Sequence, residues 1–229
     1  ALLSGQEPDG VRVYAVPERV PFAEAVAGER LARIAGDHRR LLAFFGDTSE
    51  SDPEGFVESW LDEHTFRAAE RWVGDLRLVL YGTSPPPLAE EPSKKEAVLL
   101  GYSVELTGAD LALQRLEPGD VVPLTLFWEA RQPVQQDAKV FVHLLDAGGQ
   151  LVAQHDSEPV NGRRPTSTWK PGESIVDRHG VLLPGDLPPG EYQLVVGLYD
   201  PVTGNRLLVT AGTSAPPGDS WPVGTVQVP

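Results

Sequence analysis

The chain has 229 residues, of which 41% are hydrophobic, and a formal net charge of −14. This apolar content argues against an intrinsically disordered chain. The excess of 33 acids over 19 basic residues argues against a nucleic-acid-binding surface. Because the sequence has no cysteine, disulfides, zinc–thiolate sites and cysteine nucleophiles are excluded. We therefore expect a folded, acidic protein that does not bind nucleic acid.

The sequence contains no methionine and starts at Ala1, which predicts a processed chain or an excised fragment. Its longest apolar runs, such as residues 97–104, are far shorter than the 18 or so residues that cross a bilayer. The start shows no basic segment followed by an apolar one, the pattern of a signal peptide. We expect any membrane anchor to belong to a part of the parent protein outside this sequence.

The first part of the chain alternates between strand and helix patterns. Residues 11–16 alternate polar and apolar side chains and are rich in β-formers, which predicts a strand. Residues 22–36 carry apolar side chains at helical spacing and end at Gly36, a residue suited to a C-cap. Residues 41–46 form a short continuous apolar run, typical of a strand covered on both faces.

A second helix and a hairpin follow. Asp52 suits the N-cap of a helix with one apolar stripe. Residues 65–72 and 75–82 are predicted strands, and Gly74 favours a tight turn between them. The resulting order, β-α-β-α-β-β, predicts a small α/β layer domain over residues 1–82.

The proline-rich stretch 83–95 predicts a linker, because three consecutive prolines stiffen it and charged residues keep it solvated. Helical periodicity disappears after it, and short strands alternate with Gly/Pro turns. The predicted strands are 97–106, 109–116, 121–130, 139–146, 150–155, 174–183, 191–199, 205–210 and 223–228. This pattern predicts an antiparallel, immunoglobulin-like β-sandwich over residues 96–229. The fold class expected for the whole chain is therefore α+β in two domains.

Within the strand 191–199, four alternate side chains are expected to point inward: Tyr192, Leu194, Val196 and Leu198. Tyr192 follows an LPPG turn, as the tyrosine corner does in immunoglobulin-type sandwiches. This likeness to a tyrosine corner concerns the fold alone and implies nothing about function.

Phosphate-binding and metal-binding motifs find little support. The turn after residues 11–16 has two prolines and no glycine, which disfavours close backbone contact with a nucleotide. His143 and His155 lie on the two arms of one predicted hairpin. With a DAGG turn they face opposite sides and cannot share a metal, whereas a one-residue register slip would bring them together. We expect no metal and no cofactor.

Acidic side chains are the candidates for general acid–base chemistry. Glu58 and Asp62 are four residues apart on the second predicted helix, with Glu54 one turn earlier, so they form a candidate acid pair or weak cation site. A solvated helix face favoured by the helix dipole explains the same pattern and is preferred. A GxSxG nucleophile elbow is absent, so a hydrolytic triad has no positive support.

The polar stretch 155–173 is the candidate ligand site, since a connection of this length is usually functional or packed on itself. Arg163 and Arg164 would grip a carboxylate or phosphate. Trp169 would stack on a sugar ring, with hydrogen bonds from Thr166 and Thr168. In the preferred alternative, an arginine pairs with a nearby acid and the tryptophan closes the end of the sandwich.

Long runs of the sequence, including SDPEGFVESWLDEHTFRAAERWVGDLRLVLYG (51–82) and KVFVHLLDAGGQLVAQHDSEPVNGRRPTSTWKPGESIVDRHGVLLP (139–184), resemble the C-terminal soluble region of bacterial GT-C membrane glycosyltransferases, which are similar to dolichyl-phosphate-mannose-protein mannosyltransferases. The resemblance implies transfer of sugars from polyprenyl-phosphate donors on the extracytoplasmic side of a membrane. The family's catalytic acid lies in a loop that this chain does not match, so no catalytic residue is carried over.

The expectation is therefore a non-catalytic, extracytoplasmic accessory region. Its expected partners are a glycan or polyprenyl-linked sugar acceptor and the membrane domain of the same parent chain. Two alternatives stay open: a purely structural or protein-interaction module, and a free-standing carbohydrate-active hydrolase or lyase that uses the acids of residues 47–63.

Overall fold

The computed structural model describes residues 11–17, 23–47, 49–84, 88–93, 95–101, 103–112, 116–211 and 218–229. These residues are mostly β and form three antiparallel sheets. The elements, in chain order, are α1 (Glu24–Asp37), β1 (Arg40–Phe45), α2 (Phe56–His64), β2 (Phe66–Val73), β3 (Leu76–Gly82), β4 (Lys95–Leu100), β5 (Val104–Leu111), β6 (Val121–Ala130), β7 (Lys139–Leu145), β8 (Leu151–Ser157), β9 (Ser174–Leu182), β10 (Gly190–Tyr199), β11 (Val209–Ala211) and β12 (Trp221–Val228).

The two helices and the first sheet form an α/β unit (residues 24–82). Its strands are ordered β1-β3-β2, and the two-residue turn at Gly74 joins β2 to β3 as predicted. Alternate side chains of β3, Val79 and Tyr81, are fully buried and share a small core with Leu31 of α1 and Leu61 of α2. This period of two places one face of the sheet beneath the helices.

Three local predictions for the α/β unit are wrong. Residues 11–16 form no strand, so the observed order is α-β-α-β-β. Gly36 lies inside α1 rather than after it, because the helix continues to Asp37. Strand β1 is covered on one face only, since Leu42 and Phe44 are 51% and 62% exposed. A continuous apolar run therefore does not identify a strand buried on both faces.

The remaining strands form two facing sheets, called here the sandwich (residues 95–228). The five-stranded sheet has the order β11-β4-β5-β6-β9, and the four-stranded sheet has the order β12-β10-β7-β8. The inward positions predicted for β10 are confirmed: Tyr192, Leu194, Val196 and Leu198 belong to the core between the sheets. The Tyr192 hydroxyl donates to the Pro188 carbonyl at 2.7 Å, the hydrogen bond expected of a tyrosine corner.

The predicted strand 97–106 is two strands. Gly101 has a φ of +61°, a left-handed conformation that ends β4 and lets the chain turn back into β5. A Cβ at Gly101 would also lie 3.2 Å from the Leu207 side chain. The sequence contains no second turn residue beside Gly101, which is why the run appears continuous.

The α/β unit packs against the outer face of the five-stranded sheet. Gly180 of β9 allows this approach, because a Cβ there would lie 2.6 Å from the Phe66 carbonyl oxygen of β2. At the same junction Arg39 forms an ion pair with Asp120 at 2.6 Å. The division into domains 1–82, 83–95 and 96–229, and the immunoglobulin-like class, stay predictions.

Candidate functional site

The predicted binding loop connects β8 of one sheet to β9 of the other. It contains two short 3-10 turns, Pro159–Gly162 and Thr166–Thr168. Val160 and Asn161 have φ values of 52° and 53°, a strained conformation for a β-branched residue such as valine. The Val160 N–H donates to the buried Asp177 carboxylate at 2.8 Å, which fixes this strained turn to the core.

Asp177 is the centre of a buried polar network between the sheets. Its carboxylate lies 2.7 Å from His179 Nε2 and accepts from Trp128 Nε1 at 3.2 Å. His179 Nδ1 in turn lies 3.1 Å from His155 Nδ1 on β8. Asp177 and His179 are 0% exposed, so the network joins β6, β8, β9 and the loop inside an otherwise apolar core.

The network shifts the pKa of two of its groups. Burial disfavours the charged form of Asp177, but the His179 ring and hydrogen bonds from Val160 and Trp128 outweigh it and lower the pKa of that carboxyl. Burial is the main cause that lowers the pKa of His155 to about 3, and the neighbouring His179 adds to it. The folded protein therefore holds His155 neutral at all but strongly acidic pH.

Two of the predicted ligand residues are part of the packing. Trp169 is 3% exposed and belongs to the sandwich core, while its Nε1 donates to the Arg164 carbonyl at 2.8 Å. Thr166 is 0% exposed, and its hydroxyl accepts from Ala138 N and donates to Gln136 O. In this conformation Trp169 has no free ring face for a sugar, and it closes the end of the sandwich.

The other three predicted residues lie on the loop surface, where Arg163 and Thr168 are exposed and Arg164 is half-buried. Arg163 reaches α2, where it lies 3.4 Å from Glu63, 3.7 Å from Asp62 and 3.4 Å from the Ser59 carbonyl. Arg164 pairs with Glu173 at 2.7 Å and keeps 40% of its side chain exposed. Thr168 donates to the Pro165 carbonyl at 2.7 Å.

These contacts give the loop two sides. Its inner side ties the core together, and Arg163 ties the sandwich to the α/β unit. Its outer side presents four polar side chains, called here the loop edge: Arg164, Ser167, Thr168 and Lys170. Glycan binding by the predicted residues stays a prediction; the exposed members of the set are Arg163 and Thr168, and Arg164 is half-buried.

The predicted acid pair is engaged by arginines. The Arg67 guanidinium bridges Glu58 at 2.5 Å and Asp62 at 2.9 Å, and Arg77 also bonds Glu58. Burial raises the pKa of Asp62, whereas for Glu58 hydrogen bonds from Arg77 and Arg67 outweigh burial and lower the pKa. Opposite pKa shifts in two neighbouring carboxyl groups also occur at acid–base catalytic sites, but here both carboxylates are paired with an arginine.

Asp52 caps the N-terminus of α2 with its side chain, although Gly55, and not Asp52 as predicted, occupies the N-cap position. The helix starts at Phe56 after Gly55, and the Asp52 carboxylate accepts the N–H groups of Phe56 and Val57 at 2.8 and 2.9 Å. The carboxylate thus satisfies two of the free donors at the helix start. Both the acid pair and this cap have structural roles within the α/β unit.

The predicted orientation of the two histidines on the β7–β8 hairpin is confirmed. His143 pairs with Gln154 and Val142 with His155, so the two histidines do face opposite sides of the sheet. Among the described residues, no group of three or more His, Asp or Glu side chains has the arrangement of a metal site. The contact between His155 and His179 was not predicted from the sequence. A pattern in β9 could have indicated it, because Asp177 and His179 are polar residues at alternate positions and therefore share the inward face of the strand.

Neither described helix is long and apolar enough to cross a membrane.

No protein-family model and no curated protein matches this chain. Among solved structures it is similar to the crystal structure of the C-terminal domain of wzt, at 14% identity and a TM-score of 0.40, over 61% of this chain and 82% of that one. A likeness at this level carries no conclusion about function.

Proposed function

We propose that this chain is a non-catalytic, extracytoplasmic accessory region of a polyprenyl-phosphate-sugar-dependent membrane glycosyltransferase, and that it contacts the acceptor glycan. The supporting observation is the loop edge, which the buried side of the same loop holds in place. Val160 is bonded to Asp177, Trp169 is packed in the core, and Arg163 is bound to α2. A polar surface that is already ordered loses little conformational entropy when it binds a ligand.

The chemistry of the loop edge suits a hydroxylated or phosphorylated ligand. Arg164 and Lys170 supply cationic donors, the Ser167 hydroxyl can donate and accept, and the Thr168 hydroxyl, whose proton goes to the Pro165 carbonyl, can accept. Glu173 holds the Arg164 guanidinium at 2.7 Å and so orients its remaining donors. In this arrangement a sugar or sugar phosphate contacts the edge from solvent, without displacing Trp169.

The proposal is tested by NMR titration of the chain with a panel of neutral disaccharides and a short-chain polyprenyl-phosphate sugar. We expect saturable shifts of the backbone amides at residues 164–170. Arg164→Gln should weaken this binding about tenfold, because it removes a charge-assisted hydrogen bond. Arg71→Gln, an equal charge change on exposed β2, should leave it unchanged. An unshifted loop with every probe would contradict glycan contact here.

The membrane assignment has its own test in the reading frame upstream of Ala1. Eight or more hydrophobic spans encoded there would support a glycosyltransferase parent. A stop codon or a signal peptide directly upstream would contradict it, whatever the titration shows.

A second candidate, a structural or protein-interaction module, is favoured by an apolar surface on the α/β unit. Leu42 and Phe44 of β1 lie on the same face of the sheet as Leu76 and Val73 of the adjacent hairpin, and all four are 47% or more exposed. Apolar surface of this kind often marks a contact with another protein. Phe44→Lys should abolish association in sedimentation experiments, and a monomer without partners would exclude this role.

The free-standing hydrolase or lyase has the least support. Its candidate acids are Glu58 and Asp62, and Arg67 contacts both. Hydrogen bonds from Arg77 and Arg67 lower the pKa of Glu58 and so favour its ionised form, while the buried Asp62, whose pKa is raised, is held in an ion pair by Arg67.

A further inference from the structure

An exposed tryptophan and two charged side chains lie together near the β2–β3 hairpin turn of the α/β unit. Trp72 of β2 is 61% exposed, and the register places it opposite Arg77 of β3. Glu70 precedes Trp72 by two residues on the same strand, so the two side chains share one face of the sheet at a spacing of about 7 Å. The Arg77 Nη1 lies 3.4 Å from Glu70 Oε2. These three side chains are called the hairpin cluster.

The groups of the hairpin cluster that a ligand would contact are open to solvent. The Glu70 side chain is 46% exposed, and its ion pairs with Arg67 and Arg77 both use Oε2. Its Oε1 therefore has no hydrogen-bond partner among the described residues. A ligand can reach this oxygen and the Trp72 ring without displacing a contact that the structure shows.

Contacts within the α/β unit hold the hairpin cluster in place. The Arg77 guanidinium carbon lies 6.0 Å from the Trp72 ring centroid and 5.1 Å from that of Phe45 on β1. Arg77 also donates to Glu58 of α2. An arginine held by two rings and two carboxylates fixes the position of Glu70, so a ligand loses little side-chain entropy of the protein when it binds.

The surroundings of Trp72 differ from those of the exposed apolar surface on the same unit. That surface, which includes Phe44 and Leu76, lies on the opposite face of the sheet, because Leu76 and Arg77 are adjacent in β3. Trp72 instead has charged neighbours on its own face. The core of a protein–protein interface is depleted of charged residues, so the hairpin cluster is poorly suited to the centre of such an interface.

Charge and chemistry indicate the kind of ligand. The carboxylates of Glu58 and Glu70 are balanced by Arg67 and Arg77, so the region favours neither an anion nor a cation. It offers an open indole ring and, beside it, an unused carboxylate oxygen. A pyranose matches both features, since its C–H face is apolar and the hydroxyl groups at its rim donate hydrogen bonds.

We infer that the hairpin cluster binds an uncharged sugar ring, which stacks on Trp72 and donates a hydroxyl hydrogen bond to Glu70 Oε1. The inference rests on the proposed function and adds to it a second contact for the acceptor glycan. This contact lies on the α/β unit rather than on the loop edge of the sandwich.

The experiment follows the indole N–H resonances of the five tryptophans by NMR while a methyl glycoside is added to the full chain. The probes are methyl glucopyranoside, methyl galactopyranoside and methyl mannopyranoside. We expect a saturable shift of the Trp72 resonance with at least one of them. The buried Trp128 indole, which donates to Asp177, is the unshifted reference. Cyclohexanol, a six-membered ring with one hydroxyl group, should produce a much smaller shift.

Two variants test the contacts, and neither change is in the core. Glu70→Gln should weaken the binding about fivefold, because a neutral acceptor replaces a charged one. Glu117→Gln, the same change in an exposed segment of the sandwich, should leave it unaltered. Trp72→Ala should weaken the binding about tenfold, measured from the glycoside's effect on the backbone amides of β2 and β3.

A Trp72 resonance that stays still with all three glycosides up to their solubility limits would overturn the inference. Unchanged affinity in Glu70→Gln would also overturn it, as would an equal response to cyclohexanol, which would indicate an apolar ligand. Shifts at residues 164–170 without a shift of Trp72 would remove this site and leave the proposed function standing. A shift of Trp72 alone would support this site and remove the contact at the loop edge. The absence of shifts at both places would remove both.

Discussion

Replacing Trp169 with alanine tests by stability whether this side chain closes the core of the sandwich. Trp169 is 3% exposed in the sandwich core and donates a 2.8 Å hydrogen bond to the Arg164 carbonyl. Truncating a buried aromatic side chain typically costs about 3 to 5 kcal/mol, since the surrounding residues only partly fill the cavity. We therefore expect Trp169→Ala to lower the free energy of unfolding by about 4 kcal/mol.

The assay is urea unfolding followed by far-UV circular dichroism, which does not depend on the tryptophan that is removed. A loss of this size moves the midpoint down by roughly 1 to 2 M urea. The matched control is Trp72→Ala, because Trp72 is 61% exposed and its ring centroid lies 6.0 Å from the Arg77 guanidinium carbon, at the limit of a cation–π contact. Its cost should be about 1 kcal/mol or less.

Equal midpoints for the two tryptophan variants would refute the closing role of Trp169. The side chain would then be free to leave the core at little cost, and stacking on a sugar ring would again be its best explanation. A large loss for Trp169→Ala alone supports the packing seen in the structure.

Three further outcomes are expected. The pKa of His155 is about 3 in the folded protein and about 6.5 in the unfolded chain. Between these pH values the unfolded state binds more protons, so the free energy of unfolding should fall on acidification by up to about 1.4 kcal/mol per pH unit. Unfolding titrations of His155→Gln at several pH values should lose this contribution to the slope. Gly180→Ala should lower the thermal midpoint by several degrees, whereas Gly185→Ala, which meets no atom within 4 Å, should not, and equal midpoints would contradict the packing of the α/β unit on β9. Arg67→Ala should cost roughly 3 kcal/mol because it removes the nearest cation, at 2.9 Å, from the buried Asp62 carboxylate, whereas exposed Arg71→Ala should cost less than about 0.5 kcal/mol in chemical unfolding, and similar losses would refute the ion-pair argument.

The predictions based on alternating side chains in strands agree with the structure. The inward residues of β10 and the Gly74 hairpin follow from local rules, because side-chain alternation and a positive φ are properties of adjacent residues. The predictions that were wrong concern features that depend on contacts with residues distant in sequence. Residues 11–16 have the composition of a strand but pair with no other strand, and β1 is apolar on a face that is exposed in this chain.

The candidate site was predictable only in part. The choice of the loop and the packing role of Trp169 follow from its length and composition. The acid bound by each arginine does not follow from the sequence, because Arg163 reaches Glu63 of α2, a hundred residues away, while Arg164 binds Glu173, nine residues away. Asp177 bonds Val160, His179 and Trp128, and that network depends on how two sheets face each other.

The packing role of Trp169 also changes how binding data should be interpreted. Because its indole holds the Arg164 carbonyl, removing it would disorder the loop edge as well as open the core. A loss of glycan binding in Trp169→Ala would therefore follow from either direct contact or disorder and does not distinguish them. Arg164→Gln does distinguish them, since it leaves the buried ring and the Val160–Asp177 bond in place while it removes an exposed donor. Packing and binding are thus compatible roles of one loop, carried by opposite sides of it.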